Sequence, residues 1–312
     1  MNTTEIVAEF GATTQKKNKD IYNQIVEDTN IEKFMTGVPN VDGDYQMAMA
    51  EMEDVLQGWQ PAWTPKGELV FKANTLKTNR VKLDKDFNAD EIEGGWLGYL
   101  VNEKKNRKDW PITKYLIQKV LDKVKENKDS IAVNGKYVAI TANTPGTTLG
   151  VADGSLECIK KAVIATTSNV IVTGTLATNP YTKVRGFIRS MTAAQLKACN
   201  KTIFMSSDMV DAVYDDFFDT YDKKELKGIA GDDYGYFIPG TDKVKIVAIY
   251  GMGASERIWA TPKWNWLKLY NLKEGLRNLE LQASKRQLHL LGDFRMGYGF
   301  AFNEVLWHND VE

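Results

Sequence analysis

Cysteine and histidine are almost missing from this sequence: Cys158, Cys199, His289 and His308 are all it holds in 312 residues. Two cysteines so far apart make no C-x-x-C pair and no zinc-ligand spacing, which excludes a disulfide scaffold and the common zinc motifs. They read as reduced, buried thiols. His289 stands in "KRQLHLL", in strand alternation, and His308 stands near the C-terminus. Neither has a nucleophile or carboxylate partner in a known motif, and G-x-S-x-G, H-E-x-x-H and the kinase signatures are absent. Both histidines therefore read as structural or surface residues.

Charge of one sign is lacking too. Lys and Arg number 40 against 41 Asp and Glu, for a net charge of −1. A protein that grips DNA through its phosphates carries a basic excess, so that class is excluded. The local block Lys104, Lys105, Arg107 and Lys108 reads as a solvated turn, or as a contact with an acidic patch on a neighbour. No apolar run approaches the ~18 residues of a membrane helix, so no transmembrane segment is expected. The opening "MNTTEIVAEFGATTQKKNKD" has no basic stretch leading into an apolar one, so it is not a secretory signal. The eight tryptophans are scattered, which suits core and contact anchoring better than a binding cage.

What is present is ordinary for a globular chain: 43% hydrophobic and 26% charged residues, without low-complexity tracts or internal repeats. The length allows one large or two modest domains. Residues 1–60 read as an extended arm carrying short helices. Ile21, Ile25 and Val26 recur at helical spacing in "NKDIYNQIVEDT", and "YQMAMAEMEDVLQGW" reads as a further helix after the break at "GVPNVDGD". Residues 61–100 read as two long strands of a polar hairpin. Lys66, Lys72, Lys77, Arg80, Lys82 and Lys85 face only Glu68 and Asp84, and the acids Asp86, Asp90, Glu91 and Glu93 follow. Such a hairpin has too few apolar residues for a core of its own, so it should lie against something else.

The strongest helix start is "KDWPITKYLIQKVLDKVKENKD", with Asp109 as cap and Pro111 in the first turn. Ile112, Tyr115, Leu116, Val120 and Val124 form one apolar stripe, which predicts a helix over 110–128, about 28 Å long. The remainder reads as mixed α+β. "GKYVAIT" has strand character, and "DGSLECIKKAVIAT" reads as a helix with Leu156, Ile159 and Val163 inward. A helix, a short strand and a second helix follow. In that second helix Val210, Val213, Tyr214, Phe217, Phe218 and Tyr221 share one face. Ser206 or Ser207 caps it, Asp208 suits its N-terminus, and Lys223 and Lys224 suit its C-terminus. "DFRMGYGFAFNEVLW" alternates, with Phe294, Met296, Tyr298, Phe300 and Phe302 on one side. Arg295, Gly297, Gly299, Ala301 and Asn303 fall on the other, and glycines opposite aromatics predict a close backbone approach.

Two stretches invite a chemical reading. Asp208, Asp211, Asp215, Asp219 and Asp222 form a stripe, but a helix spreads carboxylates along its length where a metal needs them to converge. The stripe reads as a solvated face or a charged subunit contact. In "KVKIVAIYGMGASERIWATP", Gly251 and Gly253 match the first two places of G-x-G-x-x-G. The third place holds Glu256, whose charge would repel a phosphate, and the β-rich "RIWATPKWNWLKL" follows where a helix is needed. No G-K-[ST] is present. The loop reads as a hairpin turn between two strands.

In this order the parts resemble the major capsid proteins of tailed bacteriophages, with the Hong Kong 97-type fold. The residues that carry the likeness are "WTPKGELVFKANTLKTNRVKLDKDFNADEIEGGWLGYL", "WPITKYLIQKVLDKV", "DGSLECIKKAV" through "IFMSSDMVDAVYDDF" to "VKIVAIYGMGASERIWATPKWNWL", and "GDFRMGYGFAFNEVLW". Their order and spacing span nearly the whole chain. The resemblance implies an N-arm at 1–60 and an E-loop region at 61–100. It implies a peripheral domain at 101–148 and 270–312, built on a long spine helix with Ile112, Leu116, Val120 and Val124 in its core. An axial domain would occupy 149–269.

The implied function is self-assembly through hexamers and pentamers into an icosahedral head, part of the virion and built in the host cytoplasm, that encloses double-stranded DNA without reading its sequence. No catalytic residue, cofactor, metal or membrane is implied. Lys72, Lys77, Arg80, Lys82 and Lys85 would contact a neighbouring subunit, with the Asp208–Asp222 face as one candidate partner. Gly251 and Gly253 would shape an axial-domain turn near a subunit contact. A portal, decoration proteins and a separate scaffolding protein are further implied partners, the last because the long charged helical prefix of some members is not seen ahead of the arm. Rival readings are an encapsulin-like compartment shell, another phage structural protein such as a tail tube, and a nucleotide-using α/β enzyme.

Overall fold

The computed structural model describes residues 6–8, 27–102, 112–221, 225–231, 233–271, 280–284 and 287–311. The architecture is α+β. Its strands are β1 (Thr36–Val38), β2 (Asp44–Met52), β3 (Leu69–Lys77), β4 (Asn79–Asn88), β5 (Asn169–Ile171), β6 (Thr202–Ser206), β7 (Gly235–Phe237), β8 (Lys245–Ile249), β9 (Trp259–Ala260), β10 (Trp266–Tyr270), β11 (Glu280–Ser284), β12 (Gln287–Phe300) and β13 (Trp307–Asn309). Its helices are α1 (Ala89–Asn102), α2 (Ile112–Asn134), α3 (Ser155–Ile164), α4 (Pro180–Ser190), α5 (Ala193–Ala198) and α6 (Ser207–Thr220). The chain divides into two units, 1–43 with 78–154 and 268–298, and 44–77 with 155–267 and 299–312.

The first unit rests on a sheet in the order β1-β10-β12-β11, with β4 pairing β12 as well. β12 runs antiparallel to β4 from Gln287↔Asn88 to Met296↔Asn79. Against this framework α2 turns Leu116, Ile117 and Leu121 into a cluster with Trp96 and Leu100 of α1 and Leu281, Leu288 and Leu290 of the strands. Each such side chain stabilises by about 1.5–3 kcal/mol when fully buried. α2 extends beyond the predicted end because Ile131, Ala132 and Val133 continue its buried residues. It stops before Gly135, where a Cβ would stand 2.3 Å from the Ala152 carbonyl oxygen.

The second unit is built on a six-stranded sheet in the order β5-β13-β9-β6-β8-β7. β6 and β8 are parallel and buried, in register from Thr202↔Lys245 to Ser206↔Ile249. α4 and α6 belong to the same core, with the Tyr181 and Phe217 rings 4.9 Å apart. Ser206 caps α6 by accepting from the Met209 N–H at 3.1 Å. Thr192 and Gln195 form a capping box on α5. Helix α4, not among the helices expected above, opens on Pro180, and Tyr181, Val184, Phe187 and Ile188 form its buried helical stripe.

Several expectations are corrected. The segment read as a helix at "YQMAMAEMEDVLQGW" is strand β2. Its Met, Ala and Glu favour helix locally, but Tyr45, Met47 and Met49 alternate, and pairing with β3 decides the outcome. The hairpin is therefore β2–β3, and β4 pairs with β12 instead. The acids Asp90, Glu91 and Glu93 lie in helix α1. "GKYVAIT" forms no strand: the Lys136 and Val138 N–H groups donate to the Leu149 and Gly150 carbonyls, and residues 136–141 are exposed. Val163 faces solvent, with Ala162 buried in its place. β12 is buried on both sides at its C-terminal end, where a half-buried strand was expected. Residues 299–312 fall in the second unit. Ile21, Ile25, the block 104–108, Asp109, Pro111, Asp222, Lys223 and Lys224 lie outside the described residues.

Candidate functional site

The β2–β3 hairpin is the candidate contact element. It pairs without interruption from Asp44↔Lys77 to Met52↔Leu69. At its base Leu76 is buried, and Asn74 Nδ2 donates to the Phe300 carbonyl at 2.8 Å. The far end, residues 53–68, closes on itself. Glu53 N donates to Glu68 O at 3.2 Å, Lys66 Nζ to Leu56 O at 2.8 Å, and Gln57 Nε2 to Thr64 O at 2.5 Å. Gly67 takes φ of 88°, a conformation that suits glycine. This ordered tip holds Leu56 at 87% exposure and Trp59 and Trp63 each at 91%. Exposed indoles on a hydrogen-bonded loop are the usual anchors of protein interfaces.

The cations singled out from sequence do not share one hairpin. Lys72 and Lys77 lie on β3 in the second unit, whereas Arg80, Lys82 and Lys85 lie on β4 in the first. Arg80 Nη2 meets Asp293 Oδ2 at 2.9 Å. Lys82 Nζ meets Asp84 Oδ2 at 2.6 Å, a hydrogen bond that holds its ammonium pKa above the usual value. Both pairs are solvated and contribute little to stability.

On α6, Asp208, Asp211, Asp215 and Asp219 are exposed, opposite buried Val210, Val213 and Phe217. Asp211 accepts from the Tyr234 hydroxyl, and burial together with this bond pushes the Tyr234 pKa well up. Asp216, unremarked in the sequence, accepts from the Tyr181 N–H at 2.9 Å and so serves the first turn of α4. In the spine stripe Leu116 and Val124 are buried and Val120 partly so, while the Ile112 side chain lies outside the described residues.

Gly251 and Gly253 have φ of 88° and 57° and turn the chain after β8. The turn does not make a hairpin, because β6 lies between β8 and β9. Glu256 is occupied in holding the chain: its carboxylate accepts from Thr175 Oγ1 at 2.8 Å and from Leu176 N at 2.5 Å. Asp310 works alongside it, accepting from Thr173 N at 2.7 Å and Gly174 N at 3.1 Å. Burial raises the Asp310 pKa, but these N–H donors outweigh it and hold the carboxyl below its usual value.

His308 is buried, with Nε2 2.8 Å from Ser168 Oγ and Nδ1 2.7 Å from Asn309 O. Burial lowers its pKa, which favours the neutral ring, so Nδ1–H donates to the carbonyl and Nε2 accepts the serine proton. Both nitrogens are thus committed to a structural network. His289 meets Asp86 at 2.5 Å between β12 and β4. Burial pushes the Cys199 thiol up to about 12, and neither cysteine is in a disulfide. Among the described residues no group of three His, Cys, Asp or Glu is placed to hold a metal ion, and no helix is long and apolar enough to cross a membrane.

No family model and no curated protein matches the sequence. Solved structures do match. A chain of the satellite phage P4 procapsid, solved with its size determination (Sid) protein, aligns with a TM-score of 0.62 and 10% identity over 95% of this chain and 90% of that one. A chain of the empty GTA particle capsid aligns with a TM-score of 0.53 and 9% identity over 90% and 89%. The native GTA capsid gives 0.53 and 9% over 89% and 88%. At nearly full length in both partners, the chain has the fold of these phage and GTA capsid proteins.

Proposed function

We propose that this chain is a major capsid protein that self-assembles through hexamers and pentamers into an icosahedral head around double-stranded DNA. The observation that carries the reading is the fold match over 95% of the chain to a procapsid component. In Hong Kong 97-type terms, the β2–β3 hairpin is the E-loop, α2 the spine helix of the peripheral domain, and the unit around β6 and β8 the axial domain. The hairpin lies across a neighbouring copy, with Leu56, Trp59 and Trp63 as apolar anchors and Lys72 and Lys77 along its edge. The exposed Asp208–Asp219 face of α6 is one candidate surface for those cations. A net charge of −1 suits a container that must not grip its cargo. A portal, a separate scaffolding protein and decoration proteins complete the particle.

Negative-stain microscopy of the expressed chain tests this directly. Closed shells or hexameric capsomers support it. A monomer that persists at high concentration, alone and with co-expressed scaffold candidates, overturns it.

A further inference from the structure

Within the first unit a carboxylate with no exposed surface stands between two buried lysines. Glu32, at 0% side-chain exposure, opens a 3-10 turn, Glu32–Phe34. Its Oε2 is 2.9 Å from Lys128 Nζ of α2 and 3.1 Å from Lys268 Nζ of β10, whose side chains are 7% and 6% exposed. Its Oε1 accepts from the Tyr298 hydroxyl at 2.6 Å, and Oε2 also receives the Thr29 N–H at 3.3 Å. Further contacts follow the same polarity. Asp28 meets Lys268 at 2.6 Å, and Glu27 meets Lys125 at 2.6 Å. The segment 27–32 brings the acids, and α2 and β10 bring the lysines. Ile31 and Met35 are buried alongside.

Burying a carboxylate is costly unless several donors surround it, and removing one member of such a cluster leaves an uncompensated charge. Glu32 meets this condition with donors from three separate parts of the chain. The arrangement also has one register. A slip by one residue would bring Ile31 or Lys33 to the two lysines, apolar in one case and repulsive in the other. Burial pushes the Lys128 ammonium pKa down against the pull of Glu32, so the lysine too depends on this partner. After the turn the segment continues as β1, a three-residue strand at the end of the sheet order, and Val41 N donates to Tyr270 O at 3.2 Å. A short edge strand is a weak hold by itself.

We propose that residues 27–43 form a strap that docks and detaches as a unit, with Glu32 as its bolt, and that detachment bares the β10 edge it covers. The charge cluster, rather than the short strand, keeps the strap closed. An open strap leaves the Lys268–Tyr270 backbone without its β1 partner, so Glu32 governs the exposure of that edge.

Hydrogen exchange of the full chain carrying Glu32→Gln tests the strap. Protected amides in 31–41 and 268–270 should exchange faster together, by at least about a hundredfold, while those of α2 between Leu116 and Ile131 stay unchanged. Equal acceleration throughout α2 would mean that the cluster serves global stability, and no acceleration would mean that the carboxylate is dispensable; either overturns the strap. Lys125→Ala, which removes a solvated pair, should leave both segments as they are. Should Glu32→Gln fail to fold, Tyr298→Phe removes one hydrogen bond and should accelerate the same amides about tenfold. Acceleration elsewhere, or none, counts against the proposal.

Discussion

Gly299 leaves Leu76 just enough room: a Cβ built on Gly299 would stand 2.5 Å from Leu76 Cδ2. The glycine of β12 and the last buried leucine of the hairpin are therefore fitted to each other, which is why the aromatic-glycine alternation of that strand carries glycine at this place. Gly299→Ala should destabilise by about 1–3 kcal/mol through overpacking. Leu76→Ala makes room, so the double variant should be less destabilised than the sum of the singles, by about 1 kcal/mol. Urea denaturation of the four proteins measures the coupling, and strict additivity would show that the two do not touch.

Leu116→Asp should prevent folding. It places a carboxylate in the cluster of Trp96, Leu121, Leu288 and Leu290 without a partner, at a cost of about 4 kcal/mol or more. Circular dichroism and solubility report the outcome, and a folded soluble variant would contradict the packing of α2.

Trp59→Ala with Trp63→Ala should leave the subunit intact, within about 0.5 kcal/mol, because both indoles are exposed. Assembly should fail all the same, and electron microscopy beside a denaturation curve separates the two effects. Lys72→Glu with Lys77→Glu should slow assembly without affecting the fold. Normal shells from the tryptophan pair would remove the hairpin tip from the interface.

Cys199 should resist iodoacetamide in the native chain at pH 8 and react once the chain unfolds. Its thiol stays protonated up to about 12, whereas an unfolded thiol ionises near about 8.5. Between those values the unfolded chain binds fewer protons, so stability falls as pH rises through that window. Mass spectrometry of the labelled peptide follows both.

The Asp310 staple should loosen in acid. Its carboxyl is held below the ordinary value, so its contribution is present above the unfolded pKa and is lost as pH falls through the folded one. The Thr173 and Gly174 amide resonances should shift in that acidic window in the native chain and stay fixed in Asp310→Asn.

Much of the fold was legible because it is written locally. α2 and α6 announce themselves by stripes of apolar residues at helical spacing, and Ser206 caps α6 as its position before Asp208 suggests. The failed glycine fingerprint was also a local matter, and Glu256 proves to be a backbone acceptor for Leu176. What stayed hidden depends on partners distant in sequence. Nothing in "YQMAMAEM" outweighs its helix formers until β3 lies beside it, and β6 between β8 and β9 cannot be inferred from the loop that joins them. Glu32 looks like any surface acid.

The sequence by itself determined the α+β class, the amphipathic helices, a turn at Gly251 and Gly253 and the close approach at β12, because each follows from a residue and its near neighbours. Only the tertiary structure decided which strand closes the hairpin, where the cations divide between two units, and that Glu32 is buried between two lysines. Strand pairing and charge burial are settled by residues up to 266 positions apart, as between Glu32 and Tyr298, and by the desolvation that their meeting imposes.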